Sequence, residues 1–254
     1  MNSQTVGSAA KFLKAYPDTI RGMDEDMLVF ANGARLPFTS LREKDYFEAL
    51  AHPDIADHLR IPYPTGPDSF EAPPIHCDPG RFRNEDFFKT MYGKTEEEVR
   101  SNLVEIVWMP RTVDKRRSVS KINGVDKNFA LVSEALDRLP EELRCYVNDV
   151  EETFKWRSIY KNDVWNRVSL PLRSVHSFGI ALDIRPKESA LHPGVYDYWV
   201  SHTEEFQEIG RFTYYRRLPR EIVEIFENHG FIWGGKWFHF DPMHFEYRPE
   251  LLVK

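Results

Sequence analysis

Five side chains in the second half of this 254-residue chain have the types and spacings that metal-assisted hydrolysis needs. The stretch Ser174-Val-His-Ser-Phe-Gly-Ile-Ala-Leu-Asp183 holds a histidine and an aspartate seven positions apart. Zinc takes nitrogen and carboxylate oxygen ligands at about 2.0–2.2 Å, and His176 and Asp183 supply one of each. Gly179 between them can adopt a backbone angle that turns the loop back, so that both side chains reach one point. On a strand, Ala181 shares a face with Asp183, and a small residue there leaves room for ion and substrate. The second stretch, Trp233-Gly-Gly-Lys-Trp-Phe-His-Phe-Asp-Pro-Met-His-Phe-Glu246, supplies the third ligand, His244. Pro242 biases Asp241 away from the helical region, so residues 241–243 read as a loop that delivers His244 onto a strand. Three protein ligands leave a fourth position for water, the arrangement of a catalytic rather than a structural zinc. Asp241, three residues before His244, is placed to act as the base on that water. Arg157 is the candidate cation for a developing oxyanion or a substrate carboxylate.

Each of these residues also has a plainer reading. Arg157 could be a structural ion-pair partner. Glu246, on the same strand face as His244, could orient a ligand imidazole or stand exposed. Trp237 reads as core, with a glycan-facing role conceivable, and His239 as a residue of the substrate cleft or surface rather than a ligand. His192 and His202 sit in a polar stretch and read as solvated. Gly234 and Gly235 lack the context of a phosphate loop, which argues against nucleotide binding.

The elements that must position the site can be read from periodicity and punctuation. Residues 27–38 predict a hairpin around Asn32-Gly33, a pair suited to a type I′ turn. A helical pattern over 41–60 is interrupted by Pro53, and 61–80 is a Pro-rich loop. Thr95 with Glu98 forms a capping box opening a short helix, followed by a strand at 103–108. Val125, Phe129, Val132, Leu136 and Leu139 make one helical stripe, stopped by Pro140. A strand is expected within 146–159, ending near Arg157, and another over 180–185. Pro219 opens a helix with Ile222, Val223 and Phe226 on one face, closed by Gly230, and 243–247 is the last strand. The expected fold is α+β, a small central antiparallel sheet with helices packed on one side and the metal site on its open face. Residues 1–100 are expected to form a loop-rich extension packed on a main domain over 101–254. The first ten residues, small and polar, read as a flexible tail.

Composition narrows the function classes. Net charge is −6, which disfavours nucleic acid as the main partner. No run of about 18 apolar residues exists to span a membrane, and the N-terminus has no apolar stretch of signal-peptide type. Cys77 and Cys145 lie in no metal-binding pattern, and whether they pair is open.

The pattern Ser-x-His-x-x-Gly-x-Ala-x-Asp at 174–183, followed by Asp-x-x-His at 241–244, resembles the M15 metallopeptidases. That family includes D-alanyl-D-alanine dipeptidases and carboxypeptidases and L-alanyl-D-glutamate peptidases. The resemblance covers roughly residues 100–250 and implies a hedgehog- or DD-peptidase-like fold. It implies Zn²⁺ held by His176, Asp183 and His244, Asp241 as acid/base, and Arg157, in Trp156-Arg157-Ser158, as the substrate- and transition-state-binding arginine. Ser174 matches the first motif position. The implied substrate is the peptidoglycan stem peptide, and the implied location is the cell envelope or exterior of a bacterium. Asp-Pro-Met-His after Trp-Gly-Gly-x-Trp is nearer the L-alanyl-D-glutamate peptidases than the carboxypeptidases, although Pro242 and Met243 stand in the reverse of the usual order. The alternatives are a D-alanyl-D-alanine carboxypeptidase or dipeptidase and an inactive zinc domain that binds cell-wall peptides.

Overall fold

A helix, α1 (Ser3–Ala15), stands where the small polar composition predicted a tail. What holds it is a stripe, Ala9, Phe12 and then Tyr16, buried at helical spacing. Phe12 meets Phe38 and Phe87 edge-to-face at 5.6 and 5.4 Å. The structure is a computed structural model and describes residues 3–40, 42–66, 69, 73–151, 153–159, 172–184, 218–238 and 241–254.

Strands β1 (Ile20–Asp24), β2 (Met27–Phe30) and β3 (Arg35–Pro37) form an antiparallel meander. The predicted hairpin pairs Leu28 with Leu36. Its turn is not type I′, because of the central pair only Gly33 is left-handed (φ +84°). Asn32 instead accepts a side-chain hydrogen bond from the Ala34 amide at 3.0 Å. Helix α2 (Tyr46–Ala51) ends at His52, immediately before Pro53, and a short 3-10 turn (Ala56–Leu59) follows it. Helix α3 (Glu85–Tyr92) is capped by Asn84, and α4 (Glu96–Ser101) by Thr95, whose hydroxyl accepts from the Glu98 amide.

Strand β4 (Leu103–Trp108) pairs with β5 (Lys115–Ser120). No strand was expected at β5, since Lys-Arg-Arg-Ser lacks apolar alternation; basic side chains suit an exposed edge. Helix α5 (Val125–Asp137) buries Val125, Phe129, Val132 and Leu136 as the stripe predicts, and α6 (Glu141–Arg144) follows. Among the described residues the strand expected within 146–159 is replaced by isolated bridges, Val150 to Ile184 and Ser158 to Arg173. The backbone amides of Glu151 and Lys155 bond instead to the carbonyls of Asp183 and His176.

The last sheet contains β6 (Ala181–Asp183), β7 (Phe231–Trp233) and β8 (His244–Tyr247) in the antiparallel order β6-β8-β7. Helix α7 (Arg220–Asn228) precedes β7 and buries Ile222, Val223 and Phe226. One sheet face carries Phe245, stacked on Phe226 of α7 at 3.7 Å, and Tyr247; Phe129 of α5 meets Phe231 at 5.1 Å. The other face carries Asp183, His244 and Glu246. Among the described residues the fold is thus mixed α and β with three small antiparallel sheets rather than one central sheet. On the polar face His244 and Glu246 are buried and Asp183 is half-buried, and the cavity there is lined by residues from both halves of the chain. One hydrophobic core joins Phe12, Phe30 and Phe87 to Phe129, Phe226 and Phe245, on both sides of residue 100. Cys77 and Cys145 are both free thiols. Among the described residues, no helix is long and apolar enough to cross a membrane.

Candidate metal centre

Asp183 and His244 are direct cross-strand partners in the β6–β8 ladder. Their side chains therefore leave the sheet on the same face and meet, with His244 Nδ1 3.0 Å from Asp183 Oδ1. His176 arrives from a 3-10 turn (Val175–Phe178) that ends at Gly179. Gly179 is left-handed (φ +67°, ψ +30°), which lets the chain reverse into β6. A Cβ at Gly179 would sit 2.7 Å from Leu103 Cδ2 and 3.1 Å from the Ser120 amide, so the close approach of β5 requires glycine as well. The reversal puts His176 Nε2 3.3 Å from Asp183 Oδ1 and 3.3 Å from His244 Nδ1.

Two ring nitrogens and a carboxylate oxygen at mutual distances of 3.0–3.3 Å fit one small cation. Ligands about 2.0 Å from a tetrahedral ion stand about 3.3 Å from one another. These residues form a possible metal-binding group, with all three ligand atoms within 4.8 Å of each other. Burial alone would raise the Asp183 carboxyl, but His176 and His244 outweigh it and hold the group well below the usual carboxylate range. Burial likewise opposes charge on His244, yet hydrogen bonds to Asp183 and Glu246 carry it up to about 9.

The far nitrogen of His244, Nε2, lies 3.0 Å from Glu246 Oε2. Glu246 is fully buried and forms ion pairs with Arg83 and, at 2.9 Å, with Arg248. Burial would raise its carboxyl, but Arg83 first, then His244 and Arg248, hold it well below its ordinary value. The chain of charges continues through Arg248 Nε to Glu250 Oε1 at 2.6 Å. The Tyr16 hydroxyl, just after α1, donates to Glu250 Oε2 at 2.5 Å, and His58 Nδ1 lies 3.5 Å from Glu250 Oε1. All of these groups have exposure near zero apart from Arg83 at 8%. Of the two readings of Glu246, the structure has the one in which it contacts the imidazole and is not exposed.

A cavity of about 250 Å³ opens onto the three ligand residues. Asp241, Arg157, Ser174, Trp237, Arg81 and Arg83 are among its walls. Asp241 is drawn back onto Gly234. The Asp241 amide donates to the Gly234 carbonyl at 2.9 Å, and the Asp241 carbonyl accepts from the His244 amide at 3.1 Å. A Cβ at Gly234 would lie 2.6 Å from the Asp241 carbonyl oxygen, so Gly234 is what permits this fold-back. Burial raises the Asp241 carboxyl, with Asp183 adding to the rise and His244 and Arg81 opposing it. Arg157 is fixed by its backbone: its amide donates to Ser177 Oγ at 2.9 Å, and its carbonyl accepts from that hydroxyl and from the Ser174 amide. Trp237 is fully buried, with its ring 5.7 Å from that of His244. His239, His192 and His202 lie outside the described residues.

Arg81 and Arg83 escaped the sequence reading. They sit just beyond the Pro-rich loop read over 61–80, and the available signal is the alternation Arg-Phe-Arg, which puts two charges on one side of a buried Phe82.

Residues 168–247 match a family model, Peptidase M15, described as D-alanyl-D-alanine carboxypeptidase. The matched stretch is roughly a third of the chain and contains all three ligand residues and Asp241. No curated protein matches the chain, and no solved structure does.

Proposed function

Taking the segment 168–247 as that of an M15 peptidase, we propose that this chain is a zinc-dependent hydrolase of peptide bonds in peptidoglycan stem peptides. The observation that carries the reading is the trio of ligand atoms at tetrahedral spacing, on a cavity that also presents a carboxylate and arginines. His176 Nε2, Asp183 Oδ1 and His244 Nδ1 would hold the ion. When bound, zinc supplies an acidified water and polarises the scissile carbonyl. Asp241 takes the proton of the attacking water at its carboxylate and returns it to the leaving amine. Its raised proton affinity suits both halves of that task. Arg157 faces the oxygen on which charge develops. Ser174 holds the Arg157 carbonyl through its amide and helps to fix that side chain's origin. Such a substrate places the protein in the cell envelope or outside a bacterial cell.

The Asp-Pro-Met-His segment after Trp-Gly-Gly-x-Trp favours the L-alanyl–D-glutamate bond. The description of the matching family favours a second reading, removal of a terminal D-alanine. Incubation of the zinc-loaded protein with a defined stem pentapeptide and weighing of the products distinguishes the two. Loss of L-alanine supports the first and loss of D-alanine the second. A chelator should abolish either, and Asp241→Asn should retain zinc while losing about 10²–10⁴-fold in kcat. Unimpaired turnover in that variant, or no zinc-dependent cleavage of any stem peptide by wild type, would refute the proposal.

A further inference from the structure

Among the described residues, the segment 153–159 is tied to its surroundings by an isolated bridge and by single hydrogen bonds rather than by a strand ladder. Its position beside the ligand group therefore comes from particular contacts with the turn that presents His176. The Lys155 amide donates to the His176 carbonyl at 3.2 Å, and the Ser174 amide donates to the Arg157 carbonyl at 3.1 Å. A side chain adds to these backbone bonds. Ser177 Oγ accepts from the Arg157 amide at 2.9 Å. It also lies 2.9 Å from the Arg157 carbonyl oxygen and 3.1 Å from that of Lys155. A serine hydroxyl has one proton to give and lone pairs to receive, so it takes the amide while donating to one of the two carbonyls. Ser177 is fully buried, so solvent does not compete for that hydroxyl.

The neighbours of Ser177 on the turn face elsewhere. His176 lines the cavity with the other ligand residues, and Phe178 stacks on Phe88 at 5.7 Å. The turn also keeps bonds of its own that do not use the hydroxyl. The Ser177 amide donates to the Ser174 carbonyl at 2.9 Å, and the Gly179 amide to the His176 carbonyl at 3.1 Å. Removing the hydroxyl would thus release the backbone of Arg157 while leaving His176 in its turn. We propose that Ser177 is a positioning residue of the reaction: it fixes the backbone of Arg157 beside the ligand group, so that the guanidinium meets the developing oxyanion. One turn then seats both partners, the ion through the ring of His176 and the arginine through the hydroxyl next to it. This rests on the peptidase reading above and on the role given there to Arg157, and it holds whichever stem-peptide bond is cut.

The test measures kcat, KM and zinc affinity of the full-length protein on the stem peptide that wild type cleaves, for Ser177→Ala, Arg157→Ala and the double variant. Displacing a reacting group by about 1 Å costs on the order of 10²-fold. Ser177→Ala should therefore lower kcat by about ten- to hundredfold, with KM and zinc affinity little changed, because the contact it sets belongs to the transition state. In the Arg157→Ala background the same substitution should change kcat by less than about twofold, since the hydroxyl then has no guanidinium to place. Hydrogen exchange of Ser177→Ala should show protection lost at the Arg157 amide. Ser177→Ala that turns over like wild type overturns the inference. So does a loss that persists undiminished without Arg157, which marks a general structural role. A parallel loss of zinc affinity overturns it as well, by assigning the hydroxyl to His176. Should Ser177→Ala fail to fold, Ser177→Cys, which fills the site with a weaker donor and acceptor, is read by the same criteria. Full turnover in Arg157→Ala overturns the role of that arginine and this inference but leaves the peptidase reading, whereas no zinc-dependent cleavage by wild type overturns all three.

Discussion

Replacing Glu246 with glutamine separates two jobs that one carboxylate performs. The substitution keeps shape and volume, so no cavity term enters. It removes the negative acceptor 3.0 Å from His244 Nε2, the partner that would fix the tautomer in which Nδ1 is left to face an ion. Loss of such an outer partner costs about 10–100-fold in metal affinity, or roughly 1.4–2.7 kcal/mol. It also unbalances the buried ion chain. Removing one member of a buried pair costs about 3–5 kcal/mol, but Arg248 keeps Glu250 at 2.6 Å and the amide oxygen can still accept from Arg83. The expected loss is therefore about 2–4 kcal/mol. Denaturant unfolding of the zinc-free protein reads the second effect, and chelator competition on the folded protein reads the first. Folded Glu246→Gln that binds zinc within about twofold of wild type would refute the orienting role, and an unshifted unfolding midpoint would refute the energetic account of the chain.

Gly179→Ala should destabilise by about 2–5 kcal/mol, the sum of a left-handed non-glycine residue and a crowded core position; an unfolding midpoint close to that of wild type would show that β5 gives way. Stability should fall as pH drops, in two overlapping windows. His58 is pushed down to about 4 by burial, despite the pull of Glu250, so its unfolded form binds the proton first, and stability is lost between about 6.5 and 4. For Glu250, burial is outweighed chiefly by Arg248, and its carboxyl lies at about 2, so its contribution goes between about 4.5 and 2. Each group should contribute on the order of 3 kcal/mol, and pH-dependent unfolding of His58→Phe should lack the upper window.

The site was legible in the sequence where ligand spacing and strand alternation coincide. His244 and Glu246 two apart on a strand, with Phe245 between them, fix which side chains face the candidate metal centre and which face the core. Gly179 is legible for the same reason, since only a reversal brings residues 176 and 183 together. Helix α5 was readable from its stripe and α7 from Pro219, Gly230 and the apolar face between them. The N-terminal half was less so. Helix α1 is held by three residues whose partners, Phe38 and Phe87, are distant in sequence. One wall of the cavity comes from the segment just after the Pro-rich loop, through Arg81 and Arg83, charges that acquire meaning only against Trp237 and Glu246. The expected strand before Arg157 gives way because its amides find the carbonyls of Asp183 and His176, a tertiary competition that no local pattern encodes.

The pairing of β6 with β8 has a consequence for how this protein comes to be folded. Asp183 and His244 are 61 positions apart, so their meeting closes a long loop. That closure costs an unfolded chain about 4 kcal/mol in entropy. The two residues that cross it are also the two that an ion would tie together. Assembly of the centre thus depends on a non-local contact, and an ion seated there would act as a cross-link between the two strands.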